Sequence, residues 1–277
     1  MAPGWLYSFV YALVAGFSEL LPLSASANTL LLETLTGGSE YIAYLAFACR
    51  LGALASLLWA YYPTLRRLGR ERRLARVPVR RRKRQPDAAT VAEGRALRAG
   101  MVPLALLGAL LGWCSRGSAS IWFAALMSAV TGLALYLSQR RGIGTKEPDA
   151  VTPLDSVLVG AAAGIGLITA LSPLAMGLAA CQRRGYSREY TLRTAMLLAI
   201  PALLIRLAVD VLSLAAGVTA LPLTMLVKCA VCVPISALAA RGGLELARFL
   251  SVKAGFSAFC FYCWGLALFE FILYLII

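Results

Sequence analysis

Apolar stretches long enough to cross a membrane alternate along the chain with short clusters of arginine and lysine. Residues 41–62, 121–138, 191–214, 221–240 and 255–277 are near-continuous runs of aliphatic and aromatic side chains. A helix needs roughly 20 such residues to span a hydrocarbon core. Residues 100–114 form a shorter run of the same kind. Two further stretches, 5–36 and 154–182, are apolar but interrupted, the first by Glu19, Pro22 and Ser24, the second by Leu171-Ser172-Pro173. Proline has no N–H and clashes with the turn before it, so a helix does not run smoothly through these points. At membrane depth, broken backbone survives only inside protein or beside a wet cavity. Both stretches therefore read as re-entrant helical hairpins. The interruptions, together with the absence of a basic start, argue against a cleaved signal peptide at the beginning of the chain.

The basic clusters orient the spans. They fall at 66–84, at Arg140, Arg141 and Lys146, at Arg183, Arg184, Arg188 and Arg193, and at Arg241, Arg248 and Lys253. The positive-inside rule places all four in the cytoplasm. Two spans separate the first cluster from the second and two separate the third from the fourth, as the rule requires. The segment between the second and third must leave and return on one side, which a hairpin does. An internal repeat agrees. At an offset of 148 residues, Ala15-Gly16-Phe17-Ser18 falls on Ala163-Gly164-Ile165-Gly166, and Leu23-Ser24 falls on Leu171-Ser172. Each half is then one re-entrant hairpin followed by three spans. Three is odd, so the second half is inverted and both termini lie outside.

The expected fold is thus an all-α, polytopic membrane protein, an inverted repeat of a re-entrant helical hairpin plus three transmembrane helices. The first repeat covers 1–138, with hairpin 5–36, spans 41–62, 100–114 and 121–138, and a basic cytoplasmic loop at 66–98. The second covers 139–277, with hairpin 154–182 and spans 191–214, 221–240 and 255–277. Broken helices meeting near the midplane form a transporter-type plan, with the ligand where the breaks converge.

Composition adds exclusions. Of 277 residues, 60% are apolar and 14% charged, against about 25% charged in soluble domains. The run 66–84 holds eleven of the 27 Lys/Arg and one acid, Glu71. Between spans it reads as a surface for anionic membrane lipids; a nucleic-acid partner would need a docking module, and none appears. The chain has no histidine, so the commonest general base and metal ligand is missing from any mechanism. Cys229-x-x-Cys232 and Cys260-x-x-Cys263 have zinc-ribbon spacing, but lie inside apolar helical runs where cysteine serves as a small hydrophobe.

Candidate chemistry gathers at the first break. Glu19 is an acid inside an apolar segment, where it either acts on a ligand or sits protonated against a free carbonyl. Ser24, Ser26 and Asn28 either cap a helix or touch a ligand. Helix N-termini at such a break favour an anion, phosphate especially. Arg50, mid-span, needs a partner, for which Glu19 or a phosphate would serve. Arg206 and Asp210, spaced i, i+4, are expected to pair with each other. Lys228 and Glu270 are expected to snorkel or to pair between helices.

The stretch 16–37, GFSELLPLSASANTLLLETLTG, resembles the first signature of the bacterial undecaprenyl-diphosphate phosphatases of the bacitracin-resistance type. Gly185-Tyr-Ser-Arg-Glu189 and Leu197-Leu-Ala-Ile-Pro201 are similar to their second-half segment. The resemblance implies six spans plus two re-entrant hairpins, removal of a phosphate from the undecaprenyl-diphosphate carrier of cell-wall synthesis, and a Mg²⁺ or Ca²⁺ cofactor if the chain is catalytic. It implies catalytic roles for Glu19, Ser24, Ser26 and Ser172 and a place in the bacterial cytoplasmic (inner) membrane. Asn28 and Arg50, which stand where the family has other residues, are expected to contact the ligand, Arg50 as a substitute cation. The sequence departs from the family pattern where Ala15 replaces a second glutamate and Ser24-Ala25-Ser26-Ala27-Asn28 replaces a Ser-Ser-Thr-Gly-His run. Arg50 stands for a glutamine, and Cys263 for an arginine. The second signature, Pro-Gly-x-Ser-Arg-Ser, falls on Thr169-Ala170-Leu171-Ser172-Pro173-Leu174, keeping the serine and losing the arginine. Phosphoryl transfer rests on positioning and charge neutralisation, so these losses leave two readings: turnover on a rebuilt site, or non-catalytic binding or transport of a polyprenyl (di)phosphate. A homodimer is left open.

Overall fold

The computed structural model describes residues 3–37, 41–82, 84–115, 120–140, 142, 144–216, 222–253 and 255–276. Lys83 and Arg141 of the basic clusters, and the span ends at 221 and 277, lie outside the described residues. Ten α-helices follow one another: α1 (Trp5–Glu19), α2 (Ala25–Thr36), α3 (Ile42–Arg76), α4 (Ala88–Cys114), α5 (Ile121–Gln139), α6 (Pro153–Ile165), α7 (Pro173–Arg183), α8 (Arg188–Ala216), α9 (Leu223–Lys253) and α10 (Ser257–Ile276). Among the described residues six helices, α3, α4, α5, α8, α9 and α10, are long and apolar enough to cross a membrane. This is an all-α, multi-pass membrane protein.

The two interrupted segments are helix pairs whose joints are fixed locally. α1 stops at Glu19 and the chain turns through Pro22 before Ser24 caps α2, its hydroxyl accepting from the Ala27 N–H at 3.1 Å. α6 stops at Ile165, and Ser172 caps α7 in the same way, accepting from Ala175 N–H at 3.2 Å with Pro173 at the first helical position. Proline is pre-organised there because its missing N–H has no intrahelical partner in any case. Both joints are buried: Leu20, Leu21, Leu23 and Ser24 in one, Leu167, Ala170, Leu171 and Ser172 in the other.

Each broken helix packs on the middle spanning helix of the other half, α1 on α9 and α6 on α4, while α5 packs on α10. Glycine makes both crossings close. A Cβ on Gly16 would lie 2.3 Å from the Ser236 carbonyl oxygen, and one on Gly160 would lie 1.9 Å from that of Gly100. A Cβ on Gly164 would lie 3.1 Å from Leu104 Cα.

Buried acids hold the arginine-rich ends. Asp155 receives Lys146 Nζ at 3.0 Å and Arg184 Nε at 2.5 Å. Glu93 receives Arg193 Nη2 at 2.6 Å. Glu71 receives Arg84, and also the Asp87 N–H at 3.1 Å. The basic segment is not loop throughout, since α3 carries it as helix to Arg76 and α4 resumes at Ala88. Lys228 donates to the Pro3 carbonyl and lies 5.5 Å from the Trp5 ring centre. Glu270 is fully buried, and neither carboxylate oxygen has a hydrogen-bond partner among the described residues. The cysteines are free; Cys232 donates to the Ser8 carbonyl at 3.4 Å.

Candidate functional site: the junction of the two breaks

The two joints meet. Ser26, in the first turn of α2, accepts a hydrogen bond through Oγ from the Ala170 N–H at 3.0 Å, tying the first break directly to the second. Ala170 has φ = 64°, a left-handed conformation that costs a residue with a Cβ about 1–2 kcal/mol. Its neighbour Thr169 is anchored to the end of α4, with the Thr169 hydroxyl donating to the Ser115 carbonyl at 2.8 Å and the Ser115 hydroxyl accepting from Thr169 N–H at 3.0 Å. Such backbone is costly in hydrocarbon unless each freed donor and acceptor finds a partner.

Beside this contact lies a cavity of about 100 Å³, lined by Ser26, Arg50, Thr169, Arg206 and Asp210 among others. A water molecule takes up about 30 Å³ in liquid, so the space suits a few waters or one small oxyanion. Arg50, on α3, donates through Nη1 to Asp210 Oδ2 of α8 at 2.5 Å. The Arg206–Asp210 pair expected from i, i+4 spacing does not form. Arg206 instead donates to the carbonyls of Gly166 and Leu171, at 3.4 and 3.1 Å, bracketing the second break. The reason is physical: the break frees carbonyls that need donors, and Arg50 reaches Asp210 from the other half. Glu19 is half-buried, makes no hydrogen bond or ion pair with a described residue, and lies within electrostatic reach of both Arg50 and Arg206.

Of the residues singled out from sequence, Ser26 and Arg50 line the cavity. Ser24, the N-cap of α2, and Asn28 lie two residues to either side of Ser26, with Ser24 Oγ 3.5 Å from Ser26 Oγ. Asn28 donates to the Ser24 carbonyl at 2.8 Å and accepts from the Tyr262 hydroxyl of α10 at 2.6 Å. Ser172 is occupied as the cap of α7, and neither it nor Glu19 lines the cavity. Sequence reasoning missed Tyr262, Thr169 and the carbonyl-binding role of Arg206. The one available signal was that a predicted break frees carbonyls which need donors from elsewhere in the chain.

The donor set does not by itself fit Mg²⁺ or Ca²⁺, which take several oxygen ligands, carboxylates foremost. Among the described residues no three of His, Cys, Asp or Glu gather, Asp210 is held by Arg50, and with that pair neutral, Arg206 leaves the lining with one net positive charge. That charge repels a divalent cation and attracts an anion.

Fold and junction together define a class: a multi-pass helical membrane protein in which two broken helices, one from each half, meet at an internal polar cavity. Within that class the chain belongs to the family described as bacitracin resistance protein BacA, which it matches over residues 8–269. It is similar to the undecaprenyl-diphosphatase of Micrococcus luteus, 34% identical over 201 residues, covering 72% of this chain and 71% of that protein. The undecaprenyl-diphosphatase of Nocardioides sp. is 30% identical over 201 residues, 72% of each chain. That of Carboxydothermus hydrogenoformans is 28% identical over 198 residues, 71% and 69%.

Proposed function

We propose that this chain binds the phosphate-bearing head of a polyprenyl (di)phosphate carrier lipid at the junction of its two breaks. Its setting in this reading is the bacterial cytoplasmic membrane, with both termini outside. The observation that carries the reading is the pair Arg50 and Arg206 facing one cavity beside the Ser26 hydroxyl. Guanidiniums bind phosphate oxygens through charge-assisted hydrogen bonds, which are roughly twice as strong as neutral ones. Arg50 then fills the role of the arginine that the second signature lacks at Pro173.

Binding or transport is favoured over turnover by the state of the serines. Ser24 and Ser172 accept helix-end N–H groups, and Ser26 accepts the Ala170 N–H. Among the described residues no side-chain base hydrogen-bonds any of the three, and a serine nucleophile needs such a base. A second reading, hydrolysis, draws on one observation, the uncommitted Glu19 near two guanidiniums. There a water oxygen would bond to phosphorus as the phosphoanhydride bond breaks and its proton passes to Glu19. That is general-base chemistry without a covalent intermediate.

The test is binding of, and phosphate release from, undecaprenyl diphosphate by the purified chain in detergent. Arg50→Ala is expected to weaken binding by about tenfold or more, the loss of one charge-assisted contact; unchanged affinity would sink the headgroup assignment. Release that vanishes in Glu19→Ala selects hydrolysis, and binding without release selects a carrier-binding or transport role.

A further inference from the structure

Helix α3 runs for 35 residues, about 52 Å at 1.5 Å per residue, against a hydrocarbon core of about 30 Å. Its arginine-rich end therefore projects beyond the apolar slab, and the beginning of α4 returns alongside it. Between the two lies a groove of about 670 Å³. From α3 it is lined by Leu65, Leu68, Arg72 and Arg76, spaced to share one helix face. From α4 it receives Arg95, Arg98 and, deeper, Met101. Because the helices are antiparallel, the apolar residues Leu65, Leu68 and Met101 fall at the membrane end. The arginines fall at and beyond the boundary.

These four arginines differ from most of the other basic residues. Arg184, Arg193, Arg241 and Arg248 are each paired with an acid, and Arg82 donates to the carbonyls of Val77 and Ala75. Arg72, Arg76, Arg95 and Arg98 make no hydrogen bond or ion pair with any described residue, and no acid lines the groove. The turn beyond is held firmly by Glu71, through Arg84 and the Asp87 N–H. The groove is thus a braced cleft, cationic at one end and apolar at the other.

We infer that this groove between α3 and α4 is a binding site for one anionic phospholipid, its phosphate on the four arginines and an acyl chain against Leu65, Leu68 and Met101. Charge complementarity and the direction of the polarity gradient choose this occupant. A soluble anion has no use for the apolar end, and a zwitterionic lipid brings a second cation, its ammonium, against four guanidiniums that repel it. The inference stands on its own observations and does not depend on what the internal cavity binds.

The experiment is equilibrium binding of a fluorescent phosphatidylglycerol to the purified full-length chain in neutral detergent, with phosphatidylcholine as the comparison lipid. Each basic side chain near an anionic surface is worth about a factor of five. Arg72→Gln with Arg98→Gln is therefore expected to weaken binding about thirtyfold. The control pair Arg80→Gln with Arg81→Gln, in the exposed turn Val79–Arg81, is expected to change it less than about threefold. Leu68→Ser is expected to weaken it to the same extent at low and high salt. Equal losses in the two arginine pairs would mean diffuse attraction and overturn the site. Competition by water-soluble glycerophosphoglycerol as effective as by the whole lipid, or displacement by a short oligonucleotide, would also overturn it. All four arginines are at least partly exposed, so unchanged helical circular dichroism is expected in the variants.

Discussion

At the scale of single residues, the junction depends on a backbone contact between positions 144 apart in sequence, the Ser26 hydroxyl and the Ala170 N–H. Ala170 holds a conformation suited to glycine, and the resembled second signature has glycine at that position. Ala170→Gly is expected to stabilise the fold by about 0.5–1 kcal/mol, the relieved strain exceeding glycine's added unfolded-state entropy. Thermal unfolding in detergent reads this out; a lower midpoint would show that the φ value is not a source of strain. The same scale shows where sequence reasoning ran short. Spacing of i, i+4 is a local rule and it assigned Arg206 to Asp210. The partner Asp210 actually takes, Arg50, is 160 residues away. Glu19, Ser24 and Asn28 were legible as unusual polar residues in an apolar segment. That Ser26 lines the cavity and these three do not depends on how two helix ends meet, and no one-dimensional pattern encodes that.

At the scale of elements, the breaks were the most readable feature, whereas the capping role of Ser172 was not anticipated. Pro22 and Pro173 forbid smooth continuation, and Ser24 and Ser172 supply the caps that restart each helix. The crossings these short helices make were legible only as glycines with no stated purpose. Gly160 marks one of them, with no room for a side chain against the Gly100 backbone. Gly160→Ala is expected to cost about 1–3 kcal/mol, because backbone rather than a movable side chain must give way. Gly265→Ala, where nothing lies within 4 Å, is expected to be near neutral. Parallel thermal melts compare the two, and equal effects would remove the close crossing as a determinant. The arginine-rich run was read as loop because charge interrupts the apolar pattern. Arginine is a good helix former, and α3 continues through it.

At the scale of the whole molecule, counting spans between basic clusters anticipates an all-α membrane protein, and the described residues contain six helices long and apolar enough to cross a bilayer. The parity of that count also predicts sidedness. α4 begins beside the basic run and ends at Cys114, which is exposed, whereas Cys49, Cys181, Cys232, Cys260 and Cys263 are buried. In right-side-out vesicles a membrane-impermeant maleimide is expected to label Cys114 from outside. Cys229, near the start of α9, is only half-buried, so Val79→Cys in a Cys114→Ala, Cys229→Ala background is expected to react only after permeabilisation. The reverse pattern would turn the topology over.

The exchanged packing of the two halves has a consequence for biosynthesis. α1 leaves the ribosome first, yet the surface that closes over Gly16 belongs to α9 and includes Ser236. At about 5–20 residues per second, the first hairpin waits tens of seconds in the bilayer before its partner exists. During that interval α2 and α3 cover α1 on one side only, so the nascent chain depends on the insertion machinery to shelter the face that α9 will close. Closure of the α1–α9 crossing is therefore one of the last events in the making of this protein, and a stall in translation before α9 would leave an exposed, degradable intermediate.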